Sequence, residues 1–151
     1  MKTKLTLIAL LFLSFNIYSQ DFNSKPFTIA QNWMEKNLSQ SDIKKAVPTD
    51  YELVSEDDKM LIFEKPISSR IYDIKVLYDS GKISSIIFSM HYDKVWNFMS
   101  EIQELKYKKM DDGFKRGAIE TESYDNTNKP FILIWVTDDN KRTATGYVNR
   151  K

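Results

Sequence analysis

Ile83–Met110, ISSIIFSMHYDKVWNFMSEIQELKYKKM, is the stretch whose reading decides the fold. Ile83 to Met90 is a short apolar run bounded by a glycine turn, the pattern of a strand. From His91 onward the period changes. Val95, Phe98, Met99, Ile102 and Leu105 recur at helical spacing, with Trp96 at the flank, so they form one apolar stripe. Asp93 sits where an N-cap is wanted, and its negative charge suits a helix N-terminus. Glu104 and Lys108 are spaced i,i+4 in the favourable order. Three lysines, Lys106, Lys108 and Lys109, fall in the expected last turn, and Gly113 is the expected stop.

Upstream, Ser24-Lys25-Pro26 reads as a helix start, with Ser24 as cap and Pro26 in the first turn, where its missing N–H is no loss. Ile29, Ala30, Trp33, Met34 and Leu38 continue it as an apolar stripe. Asp42 to Val47 adds one further turn before Pro48. Two runs then flank the acidic turn Glu56-Asp57-Asp58 as a hairpin, Tyr51–Ser55 and Lys59–Lys65. Arg70 to Tyr78 alternates as a cleaner strand, and Asp79-Ser80-Gly81-Lys82 turns it back into Ile83–Met90.

Downstream, Phe114 to Tyr124 is a mixed strand with Gly117 as a bulge. Phe131-Ile-Leu-Ile-Trp-Val136 is unbroken by polar residues, which implies a central strand covered on both faces. Arg142 to Asn149 is more polar and is expected at the outside. Tyr72-x-Ile74-x-Val76 before one turn answers Phe131-x-Leu133-x-Trp135 before another, as any two hairpins facing one core would. The predicted fold is a two-layer α+β domain in the order α-ββββ-α-βββ, an antiparallel sheet with two helices on one face. In topology alone this is similar to cystatin-type inhibitors and tandem inhibitor modules.

The first 19 residues have the anatomy of a secretory signal peptide: Lys2 and Lys4, an apolar run from Leu5 to Phe15, and a cleavage point after Ser19. The run is shorter than the roughly 20 residues a spanning helix needs, so no membrane span is expected after cleavage. The expected mature chain, residues 20–151, is a single domain exported to the periplasm or beyond. The leader resembles those of Gram-negative bacteria.

The chain has 22 Lys+Arg against 21 Asp+Glu, and two of the lysines lie in the leader, so the mature chain is close to neutral. That argues against a nucleic-acid partner. With no cysteine there is no thiol nucleophile, redox pair or thiolate metal site. The acidic pairs Asp57-Asp58, Asp111-Asp112 and Asp138-Asp139 fall in turns, where Asp satisfies local backbone donors. Asp125-Asn126-Thr127-Asn128 opens like a calcium loop, but Pro130 and Val136 stand where glycine and glutamate are required. No cofactor or metal is expected.

His91 is the only histidine. Any hydrolase or isomerase chemistry would have to use it, with Asp93 or a sheet carboxylate, in a cleft between helix and sheet. The same space could instead carry a small apolar ligand. The simpler reading is a hydrogen-bonded histidine at a strand end. His91, Tyr92 and Asp93 are the candidate binding residues, because the new helix start offers backbone N–H groups there. Tyr92, Tyr107, Tyr124 and Tyr147, near element ends or on mixed strands, are the interaction candidates. The expected function is a non-enzymatic protein-binding module of inhibitor, immunity or assembly-factor type.

Overall fold

The computed structural model describes residues 24–65, 71–91 and 96–151; the leader, Tyr92, Asp93 and Val95 lie outside the described residues. The first helix, α1 (Pro26–Lys36), has Pro26 in its opening turn but is not capped by Ser24. Lys25 holds the cap position and its side chain makes no capping hydrogen bond. At the other end Asn37 turns left-handed, φ 49°, and the N–H groups of Asn37 and Leu38 donate to the carbonyls of Met34 and Trp33. That closes the helix and satisfies its last carbonyls. The expected extra turn is a separate seven-residue helix, α2 (Gln40–Ala46), started by the Ser39 hydroxyl, which accepts from the Asp42 N–H.

Four strands follow: β1 (Glu52–Asp57), β2 (Met60–Glu64), β3 (Ile71–Asp79) and β4 (Lys82–His91). The next helix, α3 (Trp96–Glu104), ends well before Gly113. Lys106 adopts φ 59° and the Tyr107 N–H donates to the Ile102 carbonyl, closing the helix there. Lys108 and Lys109, expected in the last helical turn, instead form β5 (Lys108–Lys109) on the sheet. Phe114 to Tyr124 is a hairpin and not one strand: β6 (Phe114–Arg116) turns through Gly117, φ 61°, into β7 (Ile119–Asp125). A positive φ at that glycine makes a turn where a bulge was expected. The chain finishes with β8 (Phe131–Asp138) and β9 (Thr143–Arg150).

The protein is therefore α+β, with a nine-stranded antiparallel sheet and three helices among the described residues; the two-helix, seven-strand order undercounted both. The strand order is β1-β2-β3-β4-β9-β8-β7-β5, with β6 also on β7. This order is a palindrome. Each half is helix followed by a meander, and the halves join through their last strands, β4 and β9, paired at Phe88 and Gly146.

β9 thus lies at the centre of the sheet, not at its outside. Its polar residues Thr143, Thr145, Tyr147 and Asn149 occupy one face, while Ala144, Gly146 and Val148 are buried on the other. A central strand needs apolar residues only on the face that is covered.

One row across the covered face runs Phe63, Ile74, Phe88, Gly146, Trp135. Phe27 of α1 meets Phe88 edge-on, with centroids 5.0 Å apart at 74°, and lies 6.1 Å from Trp135. Phe98 of α3 reaches Trp135 at 6.3 Å. The Phe88 ring lies over Gly146, where an added Cβ would come within 2.4 Å of it. Glycine there is what lets the ring approach the β9 backbone so closely. On the α2 side, Ile43 and Ala46 are buried and the Tyr78 hydroxyl donates to the Leu38 carbonyl.

The start of α1 is held by a residue far away in sequence. Glu101 of α3, only 3% exposed, accepts the Thr28 N–H at 2.7 Å and the Phe27 N–H at 3.4 Å. The carboxylate replaces the missing local cap and places negative charge at the helix N-terminus. Burial pushes its pKa up, opposed by the hydrogen bonds from Thr28 and Phe27 and by the charge of Lys25. Lys25 also pairs with Glu104 at 3.0 Å across the same two helices.

Candidate functional site

The opposite face of the sheet carries no helix among the described residues. Its central row is Ile62, Lys75, Ile87, Tyr147, Ile134, one residue from each of β2, β3, β4, β9 and β8. The next row along is Glu64, Asp73, Ser89, Thr145, Val136, Thr121. Most of these side chains are half-buried, because each leans on its cross-strand neighbours. Ile132, Ile134 and Val136 explain the unbroken run of β8. It is not covered on both faces as expected. Phe131, Leu133 and Trp135 enter the core, and the intervening three form an aliphatic stripe on the open side.

Asp73 is the chemically distinctive residue on this face. One carboxylate oxygen, Oδ2, lies 3.3 Å from the Lys75 Nζ, and the side chain is 15% exposed. The other, Oδ1, is shielded from solvent and has no hydrogen-bond partner. A shielded acceptor without a donor costs about 1–3 kcal/mol, which a donor arriving from outside would recover. Burial raises the Asp73 pKa above the usual carboxylate value, Lys75 opposes the rise, and Glu64 adds to it. Beside it, burial and the Asp73 charge raise the Tyr72 pKa.

His91 ends β4 on the open-face phase, since Met90 before it is buried on the helix side. Its ring lies 5.5 Å from that of Tyr72, and it stands opposite Thr143 of β9. That phase is opposite to the one a cleft between helix and sheet would need. The helix–sheet space expected to hold a ligand is filled where α1 and α3 cross by the rings of Phe27, Phe88, Phe98 and Trp135. Tyr92 and Asp93, named with His91 as binding residues, lie outside the described residues.

Of the other candidate tyrosines, only Tyr147 is on the open face. Tyr107 is buried and donates to Gln31 Oε1 at 3.2 Å, and burial drives its pKa upward, helped by Asp125 and Glu35. Tyr124 is buried and donates to Glu122 at 2.6 Å; Glu122 in turn pairs with Lys109. Burial raises the Glu122 pKa, but the bonds from Lys109 and Tyr124 outweigh it and leave it lowered. These are internal ties: Tyr107 to α1, Lys109 of β5 to β7, and Tyr124, whose hydroxyl also reaches Met99 Sδ, to α3. Their position near element ends suggested exposure, and tertiary contacts reversed it.

Among the described residues, no group of three or more His, Cys, Asp or Glu side chains is placed to hold a metal ion. No helix among them is long and apolar enough to cross a membrane. No known family, curated protein or solved structure matches the chain.

Sequence reasoning passed over Asp73 and Glu101. Glu101 stands three residues after Phe98 and one before Ile102, on the apolar stripe of α3. A carboxylate in that position needs a buried partner, and this was the available signal. Asp73 read as an ordinary polar position of an alternating strand, and nothing local marked it.

Proposed function

We propose that the protein is exported, loses residues 1–19, and works in the periplasm or outside the cell as a non-enzymatic module that covers a partner protein with the open face of its sheet. The observation that carries this reading is Asp73 beside the stripe formed by Ile62, Ile87, Tyr147 and Ile134. An interface core of this kind is apolar, contains an aromatic residue, and holds a few polar groups awaiting a specific donor. The partner would offer an Arg, Lys or backbone N–H to Asp73 and an apolar surface to the stripe. β3, β4, β8 and β9 are 9, 10, 8 and 8 residues long. With the flanking strands they give a patch roughly 30 Å each way, enough for the ~800 Å² per partner of an ordinary stable interface.

The test compares two immobilised chains in extract from the compartment where the protein resides: wild type, and Ile87→Ser with Ile134→Ser. Retention by wild type of a partner that the variant loses, with both chains folded, is the expected result. Equal retention by both would remove the open face from the interaction and sink the proposal.

A second reading, a small hydrolase or isomerase, draws on Asp73 holding its proton at higher pH than an ordinary aspartate, on the same face as His91. It requires that His91→Ala abolish turnover of some substrate while leaving partner retention intact.

A further inference from the structure

The four large hydrophobic side chains exposed among the described residues all lie at the two ends of the sheet. Leu53 and Val54, 37% and 47% exposed, belong to β1 at one end. Phe114 and Ile119, 58% and 42% exposed, belong to β6 and β7 at the other. Among the described residues β1 pairs only with β2, and β5 and β6 pair only with β7, so each end presents an unpaired strand edge.

The charges at the two ends are opposite. Along β1 and its turn stand Glu52, Glu56, Asp57 and Asp58, against Lys59. Along β5, β6 and the chain between them stand Lys106, Lys108, Lys109, Lys115 and Arg116, against Asp111 and Asp112. Lys109 and Lys115 are partly answered within the chain by Glu122 and Glu120, and Glu56 by Lys44. A natural sheet usually guards an edge with charge, since an apolar unpaired edge invites strand pairing. Here the guard has a different sign at each end. It repels a like edge and attracts the unlike one.

We propose that copies of this chain associate head to tail, the acidic β1 edge of one copy pairing with the basic β5–β6 edge of the next and continuing the sheet across the junction. The occupant of each edge is a second copy of the chain, because this chain itself supplies the complementary charge and the second exposed apolar pair. Such a contact is heterologous. It grows into an open row, or a ring if the sheet twist closes it, and does not stop at a symmetric dimer. The association leaves the open face of every copy free, so it stands independently of the partner-binding proposal.

Sedimentation velocity of the purified protein tests it. Wild type should show a mass distribution extending beyond the dimer as concentration rises. Raising salt from about 0.01 M to about 0.15 M shortens the screening length from roughly 30 Å to roughly 8 Å and should weaken association about tenfold. Val54→Lys and Phe114→Glu each give an edge the sign of the edge it must meet, so each should be monomeric with unchanged thermal unfolding. In an equal mixture the two altered edges oppose lysine to glutamate while the two unaltered edges still match, so association should return. Leu53→Lys and Ile119→Glu replace either variant if it unfolds. A wild type monomeric at every concentration in low salt overturns the proposal, and so does association that both edge variants leave intact.

Discussion

The two faces of the sheet both carry large apolar side chains along a central row and use them in opposite ways. The covered face lays Phe63, Ile74, Phe88 and Trp135 in one row and closes over them with Phe27 and Phe98 from the helices. The open face lays Ile62, Lys75, Ile87, Tyr147 and Ile134 in the equivalent row and covers them with no helix among the described residues. On the covered face the buried carboxylate, Glu101, is met by two backbone donors. On the open face Asp73 keeps one oxygen without any. The difference shows that hydrophobicity alone does not separate a core from an interaction surface. Closure by a second layer does.

The strongest attempt to break this contrast is Phe27→Ala, which removes the ring that α1 sets against Phe88 and Trp135. It should cost about 4 kcal/mol in urea unfolding, the ordinary loss for a fully buried phenylalanine. Gly146→Ala should follow at about 2–3 kcal/mol, since the new methyl group meets the Phe88 ring in a filled layer. A Gly146→Ala chain as stable as wild type would mean that the central row is loose.

Glu101→Ala uncaps α1 and should cost about 2 kcal/mol, with Glu101→Gln losing roughly half as much because it keeps one acceptor. On the open face Ile134→Ser should cost only about 0.5–1 kcal/mol, because a half-buried position loses little. If it costs as much as Phe27→Ala, that face is a second core and not a docking surface.

The smallest effect is with pH. Asp73 and Glu101 both have raised pKa values in the folded chain, so each binds its proton more tightly there than in the unfolded chain. Their stabilising contribution is fully present below the ordinary carboxylate pKa of about 4 and is lost as pH rises through their raised values. Acidifying from neutrality should therefore add stability from these two groups, while Glu122, lowered, loses its contribution as pH falls further. Asp73→Asn with Glu101→Gln should flatten stability against pH between neutrality and that range, measured by thermal unfolding. An unchanged slope would mean that neither carboxyl senses its burial.

Much of the fold was legible because its elements announce themselves locally. The helical stripe from Ile29 to Leu38, the acidic turn at Asp57 and Asp58, and the alternation from Tyr72 to Tyr78 each depend on neighbours within a few residues. Several of the errors come from contacts far away in the chain. Lys108 and Lys109 move onto β7, Tyr107 is buried against Gln31 of α1, and Tyr124 is buried beside Met99 of α3. Tyr147 and His91 are the proposed contact residues that strand alternation kept on the open face. Asp73 became visible only once its missing donor could be seen.

By itself the sequence determined the class of the protein: an α+β chain without cysteine, nearly neutral, opening with a leader-like run, its helices and most strands set by periodicity. Only the tertiary structure decided that β9 lies at the centre, that Glu101 caps a helix more than 70 residues away in sequence, and that one face of the sheet carries no helix among the described residues. Periodicity reports which side of an element is apolar, a property each segment carries alone. What finally lies against that side is settled when distant segments compete for the same surface, and no short window of residues holds that information.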